Sequence, residues 1–140
     1  MGNKLGKMGA DMIVRIEKND LISILSMQSR DIVKNLFKNI KQGKKCNNQD
    51  CIEKDKLQVA HKKGSERSDI VKKIVEDILI ELGRKDNKCF SSKEYFIRFK
   101  KYHKENKIVC FLCSKCHKEY HNGELSENKL KDPWISANNN

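Results

Sequence analysis

The chain has 140 residues and a mass of 16.3 kDa, with 37% hydrophobic and 35% charged residues, enough for one compact domain with a modest core and too little for two. A chain this small and polar often needs a metal or disulfide staple, and six cysteines are on hand. No run of 18 apolar residues is present, which excludes a membrane-spanning helix, and the N-terminus lacks the apolar stretch of an export signal.

Met1-Gly2 opens like a myristoylation site, but Gly6 stands where Ser or Thr is wanted. A cytoplasmic, intracellular protein is therefore expected, with no membrane partner. In that reducing compartment closely spaced cysteines read as metal ligands rather than disulfides. The net charge of +11 is uneven: +6 over 1–45, +1 over 46–68, −2 over 69–83, +7 over 84–121 and −1 over 122–140. Two basic blocks flank a nearly neutral middle, a pattern that suits a polyanion whose counterions are released on binding. A lysine-rich coding bias would produce the same total, so charge points to nucleic acid without proving it.

Residues 1–9 are rich in Gly and Lys and are expected to fray. From Asn19 or Asp20 to Ile40, apolar residues recur at helical spacing (Leu21, Ile24, Leu25, Ile32, Val33, Leu36, Phe37, Ile40), and Gln42-Gly43 ends the run. Ser29 could cap a second segment, so two short helices are expected here. Residues 46–53 read as a loop carrying Cys46 and Cys51. Lys56 to His61 alternates polar and apolar like a short strand, broken by Gly64-Ser65.

The clearest element spans 69–82, capped by Ser68 and stopped at Gly83. Its stripe is Ile70, Val71, Ile74, Val75, Ile78, Leu79 and Leu82. Being net acidic, this helix is expected to serve the core rather than a polyanion. Ser91-Ser92-Lys93-Glu94 matches a capping box for a further helix, with Phe96 and Phe99, and with them Tyr95 and Tyr102, as candidates for its apolar side. Lys107 to Leu112 reads as a second strand. A turn at Cys113 then leads into a short helix through His121, and residues 123–140 form a tail in which Trp134 could dock.

Cys113-x-x-Cys116 is a metal knuckle: two thiolates three residues apart can grip one ion while turn amides point at the sulfurs. Cys46 and Cys51 offer a second pair. Together the four make a tetrahedral structural zinc site, which would contribute on the order of 10 kcal/mol to folding. Cys110 could replace one ligand and Cys89 is a spare; either could equally be a buried small hydrophobe. His117 and His121 stand four apart on the last helix, so both rings face the same way and can share one ion. His117, directly after Cys116, could instead serve the zinc site. His61 ends the first strand beside Lys62, Lys63 and Arg67.

Leu57-Gln58-Val59-Ala60-His61, followed by Leu112-Cys113-Ser114-Lys115-Cys116-His117-Lys118-Glu119-Tyr120-His121, resembles the His-Asn-His (HNH) endonucleases, in particular those that bear zinc. The likeness covers about residues 46–121. It implies an α+β fold: a ββα-metal core stapled by the four-cysteine zinc, with additional N-terminal and inserted helices. It divides the chain into a basic helical extension at 1–45, the core at 46–121 with a helical insertion at about 69–105, and a tail at 122–140. It also implies a DNA endonuclease in which His61 is the general base and His117 with His121 holds Mg²⁺ or another divalent ion. Duplex DNA would be contacted through Lys62, Lys63 and Arg67, and a homodimer would suit a double-strand cut.

The sequence departs from the family pattern in three places. Ala60 stands where Asp or His often supplies a further ligand, Asn106 is the nearest candidate for the middle Asn, and 51 residues separate His61 from Cys113. Asp69 or water could take the place of the missing ligand. The competing expectations are a non-catalytic zinc-stabilised module that binds nucleic acid and a zinc-stabilised protein-interaction domain.

Overall fold

The computed structural model describes residues 11–13, 18–84, 89–131 and 133–138, with side chains over 18–83, 90–131 and 133–138. The fold is α+β. In chain order it has β1 (Asp11–Ile13), α1 (Lys18–Lys41), β2 (Gln58–His61), α2 (Arg67–Arg84), β3 (Cys89–Ser91), α3 (Ser92–Glu105), β4 (Val109–Leu112), α4 (Ser114–His121) and a 3-10 turn at Glu127–Lys129. Among the described residues no helix is long and apolar enough to cross a membrane. The elements form two compact units, one of residues 1–32 with 66–102 and one of residues 33–65 with 103–140. Helix α2 and most of α3 thus share a unit with β1 and the first half of α1, while the second half of α1 falls with β2 and β4.

In the first unit β1 pairs antiparallel with β3, Met12 opposite Phe90. Strand β1 falls in the stretch just beyond the Gly- and Lys-rich start and carries no sequence signal of its own. Helix α2 buries Ile70, Val71, Ile74, Val75 and Ile78, the stripe that its spacing predicts. Helix α3 buries Tyr95 and Phe99, and Ser91 Oγ accepts the Glu94 amide at 3.1 Å, one half of the expected capping box. Arg98 is held in a fork by Glu81, at 2.7 and 2.8 Å, and also by Glu94 at 2.7 Å, and these carboxylates push its pKa up.

Helix α1 runs unbroken where two short helices were expected. The reason lies at Ser29, which is buried inside the helix and does not cap it. Its hydroxyl meets the Tyr95 phenol at 2.7 Å, so neither buried oxygen lacks a partner. Leu21, Leu25, Ser29, Val33 and Phe37 recur every four residues and are all buried, which makes the serine one position of a continuous stripe. Burial raises the Tyr95 pKa to about 12, against the pull of Ser29 and of the Arg67 charge.

In the second unit β2 and β4 pair antiparallel, with Gln58 opposite Leu112 and His61 opposite Val109. The chain segment at Ile135 adds to the start of β4: its amide donates to the Val109 carbonyl at 2.8 Å and its carbonyl accepts from Val109 at 3.2 Å. All four β4 residues are buried, which explains why this strand reads as a plain apolar run and not as an alternation. Phe37 packs edge-on against Phe111 with ring centroids 6.2 Å apart. The tail is folded onto this unit, with Trp134 half-buried and its ring 6.3 Å from that of Tyr120.

Replacing Ser29 with Ala strands the Tyr95 hydroxyl in the interior and is expected to cost about 1–3 kcal/mol. Ser29→Ala combined with Tyr95→Phe should cost less than the two single changes added together. Urea unfolding of the three variants, followed by circular dichroism, measures this, and additive losses would show that the two hydroxyls do not interact.

Candidate functional site

The site is built on the β2–β4 pair and on α4, which starts two residues after β4 ends. Cys113 occupies that junction. It is the N-cap of α4, and its sulfur accepts the Cys116 amide at 3.4 Å. The Cys113 amide in turn donates to Cys46 Sγ at 3.4 Å, and Asn48 Nδ2 donates to Cys116 Sγ at 3.4 Å. Three N–H groups are therefore aimed at sulfurs of the cluster, as suits thiolates bound to a cation. Asn47 fastens the loop from the other side, its Oδ1 accepting the Phe111 amide at 2.8 Å.

The sulfurs of Cys46, Cys51, Cys113 and Cys116 all lie within 4.8 Å of one another. Bonds of 2.3 Å to a tetrahedral zinc require sulfurs about 3.8 Å apart, and Cys51 and Cys113 stand at 3.9 Å. The donor set fits: these four residues could hold a metal ion such as zinc. Burial raises the Cys46 and Cys116 thiols above their usual range. Cys113 ends below it, because burial is outweighed by the Cys116 amide and by hydrogen bonds from Cys116, Cys51 and Cys46. Such a crowd of sulfurs resists full ionisation unless a cation balances it.

Cys110 is not part of the cluster. It lies inside β4 opposite Ala60, and burial, followed by the Cys46 and Glu127 charges, lifts its pKa to about 12. It is the buried small hydrophobe that sequence reasoning kept as an alternative. The Cys89 side chain lies outside the described residues.

The three sequence-selected histidines are distributed along β2 and α4. His117 and His121 stand together, their ring centroids 5.1 Å apart and tilted by 32°. That separation is the distance of side chains one helical turn apart on one face. His117 Nδ1 meets Gln58 Oε1 at 2.7 Å. The amide oxygen can only accept, so Nδ1 carries the proton and Nε2 the lone pair. Burial, with the neighbouring His121 charge, pushes the His117 pKa down. Among the described residues no third His, Cys, Asp or Glu gathers with these two; the cysteine cluster is the group of that kind.

His61 closes the other end of β2, three residues and about 10 Å of strand from Gln58. Its Nε2 lies 2.9 Å from Nε2 of His103. His103 and Gln58 are the residues that sequence reasoning missed. A signal existed for His103: it follows Tyr95 and Phe99 at four-residue steps on the buried side of α3. Gln58 carried none.

Lys62 and Lys63 are exposed immediately beyond His61. Lys62 Nζ lies 5.6 Å from the Trp134 ring and Lys63 Nζ 5.0 Å from the Tyr120 ring. Tyr120 also accepts the Lys63 amide at 2.9 Å and donates to Glu127 at 2.9 Å. Arg67 opens α2 in the other unit and is half-buried, with its Nε buried and without a hydrogen-bond partner among the described residues. Burial and then the Arg30 charge lower its pKa. Comparisons of the chain with protein-family models, curated proteins and solved structures return no match.

Purified protein is expected to carry one tightly held ion per chain. Cys113→Ser should release it and lower the melting temperature, whereas Cys110→Ala should keep it. Metal analysis by mass spectrometry with thermal melts checks both, and ion loss in Cys110→Ala would redraw the ligand set.

Proposed function

We propose that this protein is a zinc-stapled, metal-dependent DNA endonuclease of the HNH type, with a ββα-metal core made by β2, β4 and α4. The observation that carries the reading is the order of these three elements around one cysteine cluster. A strand ending in histidine pairs with a second strand, which runs through Cys113 into the helix that bears His117 and His121. The sequence likeness to that family spans the same residues.

In this reading Cys46, Cys51, Cys113 and Cys116 hold a structural zinc, a closed site with no position left for substrate. His117, its Nδ1 tied to Gln58, and His121 would hold a divalent ion such as Mg²⁺. Such an ion, when bound, stabilises the charge that builds on the phosphate and on the leaving 3′ oxygen. His61 accepts a proton from the attacking water, the general-base role that the likeness to the family implies for it. Lys62 and Lys63 meet backbone phosphates and fix the duplex in register without reading its sequence.

The engagement of His61 with a buried histidine, and the absence of a third ligand beside His117 and His121 among the described residues, favour one second reading. In it the chain is a zinc-stabilised module that binds nucleic acid without cutting it.

Supercoiled plasmid with Mg²⁺ or Mn²⁺ separates the two. The enzyme nicks it, and His61→Ala lowers the rate by about 10²–10⁴-fold while binding persists. Gel retardation with no nicking by the wild type would establish the second reading. His121→Ala is expected to abolish nicking yet keep the cysteine-bound ion and the melting temperature. Equal loss of fold in His121→Ala and Cys113→Ser would put His121 in the structural site.

A further inference from the structure

The chain has one tryptophan, Trp134, and it belongs to no helix or strand of the fold. Backbone hydrogen bonds nevertheless pin the tail on both sides of it, all within the second unit. The Lys131 amide donates to the Asn47 carbonyl at 2.8 Å, and the Ile135 amide to the Val109 carbonyl at 2.8 Å. Beyond them the Ala137 amide donates to the His103 carbonyl at 2.7 Å. Pro133, the residue before the tryptophan, has its φ fixed by its own ring. The Trp134 backbone is therefore held in place, while its side chain is only half-buried.

Two lysines lie against this ring and its aromatic neighbour. Lys62 Nζ is 5.6 Å from the Trp134 centroid and Lys63 Nζ 5.0 Å from that of Tyr120. The two rings stand 6.3 Å apart, tilted by 50°. Among the described residues no carboxylate pairs with either ammonium. The turn that bears the lysines is fixed by the Tyr120 hydroxyl, which accepts the Lys63 amide and donates to Glu127, both at 2.9 Å. Tyr120 is buried and serves as a wall. Lys62 is exposed, so the Trp134 face beneath its ammonium opens to the surface. A solvated ammonium on an aromatic face is a weak contact, and an unpaired base stacked on that face is a stronger one. A base arriving there displaces the flexible Lys62 side chain, whose charge then meets the flanking phosphates.

We infer that Trp134, with Lys62 and Lys63, is a binding site for an unpaired nucleotide: the indole takes the base and the two ammonium groups take its phosphates. Every base has a face that an indole can stack on, so the site selects unpaired strand and not a sequence. Single-stranded DNA and the frayed end of a duplex both present that chemistry. The inference rests on the nucleic-acid partner proposed above, which the cutting and the non-cutting readings share. It adds the state of the strand at this place. The tail thereby gains a binding role, although the likeness to the nuclease family stops at residue 121.

A single tryptophan makes the site its own reporter. Oligo(dT) of about ten nucleotides, titrated without added Mg²⁺ or Mn²⁺, is expected to quench the fluorescence of Trp134. A blunt duplex of the same length should quench it less, because its bases stay stacked. Affinities of all variants are read from the anisotropy of end-labelled oligo(dT). Trp134→Leu keeps an apolar cover over Tyr120 and removes the stacking face. Its affinity should fall about tenfold, with the slope of log Kd on log salt unchanged. Lys62→Ala should flatten that slope by about 0.7, the value for one phosphate contact on a single strand. Trp134→Phe keeps a smaller face and should stay within a few-fold of the wild type. Melting temperature and metal content certify each fold, and wild-type quenching with Trp134→Phe decides the matter if Trp134→Leu does not fold. Trp134→Leu binding as tightly as the wild type overturns the inference, as does a labelled duplex that binds while oligo(dT) leaves the fluorescence unchanged; the nucleic-acid reading survives both. Binding of neither form overturns the two together.

Discussion

Four sulfurs, two from the loop after α1 and two from the start of α4, meet within the reach of one ion, and Cys51 and Cys113 in that cluster are 62 residues apart in sequence. Bringing such distant segments together costs chain entropy that a two-stranded sheet of four residues per strand does not repay by itself. A cation at the cluster would contribute on the order of 10 kcal/mol, far more than the ladder of β2 and β4. The amides of Cys113 and Cys116 and the Asn48 side chain already point at the sulfurs. With an ion bound there, sulfur chemistry would add to the hydrophobic burial of β4 in fixing the strand pair and the helix after it.

From that arrangement follows the distribution of imidazoles. Cys113 caps α4, so the helix starts at the cluster and carries His117 and His121 away from it, one turn apart on one side. Gln58, at the start of β2, reaches His117, and three residues later His61 reaches His103. One short strand thus touches two histidine pairs with different surroundings. The pair on α4 stands with ring centroids 5.1 Å apart and has one ring nitrogen fixed by an amide. The pair at the strand end meets through its two Nε2 atoms, 2.9 Å apart. On the nuclease reading this is a division of labour between holding an ion and accepting a proton, set by local geometry alone.

The first unit carries its polar groups differently. Ser29 and Tyr95 satisfy each other inside it, and Arg98 is gripped by two carboxylates. Both arrangements give hydrogen-bond partners to a group that would otherwise be expensive to bury. They also show how a stripe can contain a hydroxyl or an imidazole without losing its register, as Ser29 does on α1 and His103 on α3.

The amino-acid sequence alone determined the elements whose signal is local. The stripe of α2, the strands around residues 58–61 and 109–112, the cap at Ser91, the cysteine knuckle and the four-residue spacing of His117 and His121 are all periodicities or short spacings, and each is present in the structure. The cluster of Cys46 and Cys51 with Cys113 and Cys116 was legible because thiol pairs at such spacing have few other uses. What only the tertiary structure decided depends on partners distant in the chain. Ser29 reads as a helix cap until the Tyr95 phenol, 66 residues away, is seen to satisfy it. His103 reads as one more polar residue in a basic helix until burial sets it against His61, 42 residues earlier. Strand β1 exists only by pairing with β3. A hydroxyl or an imidazole has no fixed role of its own; the group across the hydrogen bond assigns it, and no local pattern encodes which group that will be.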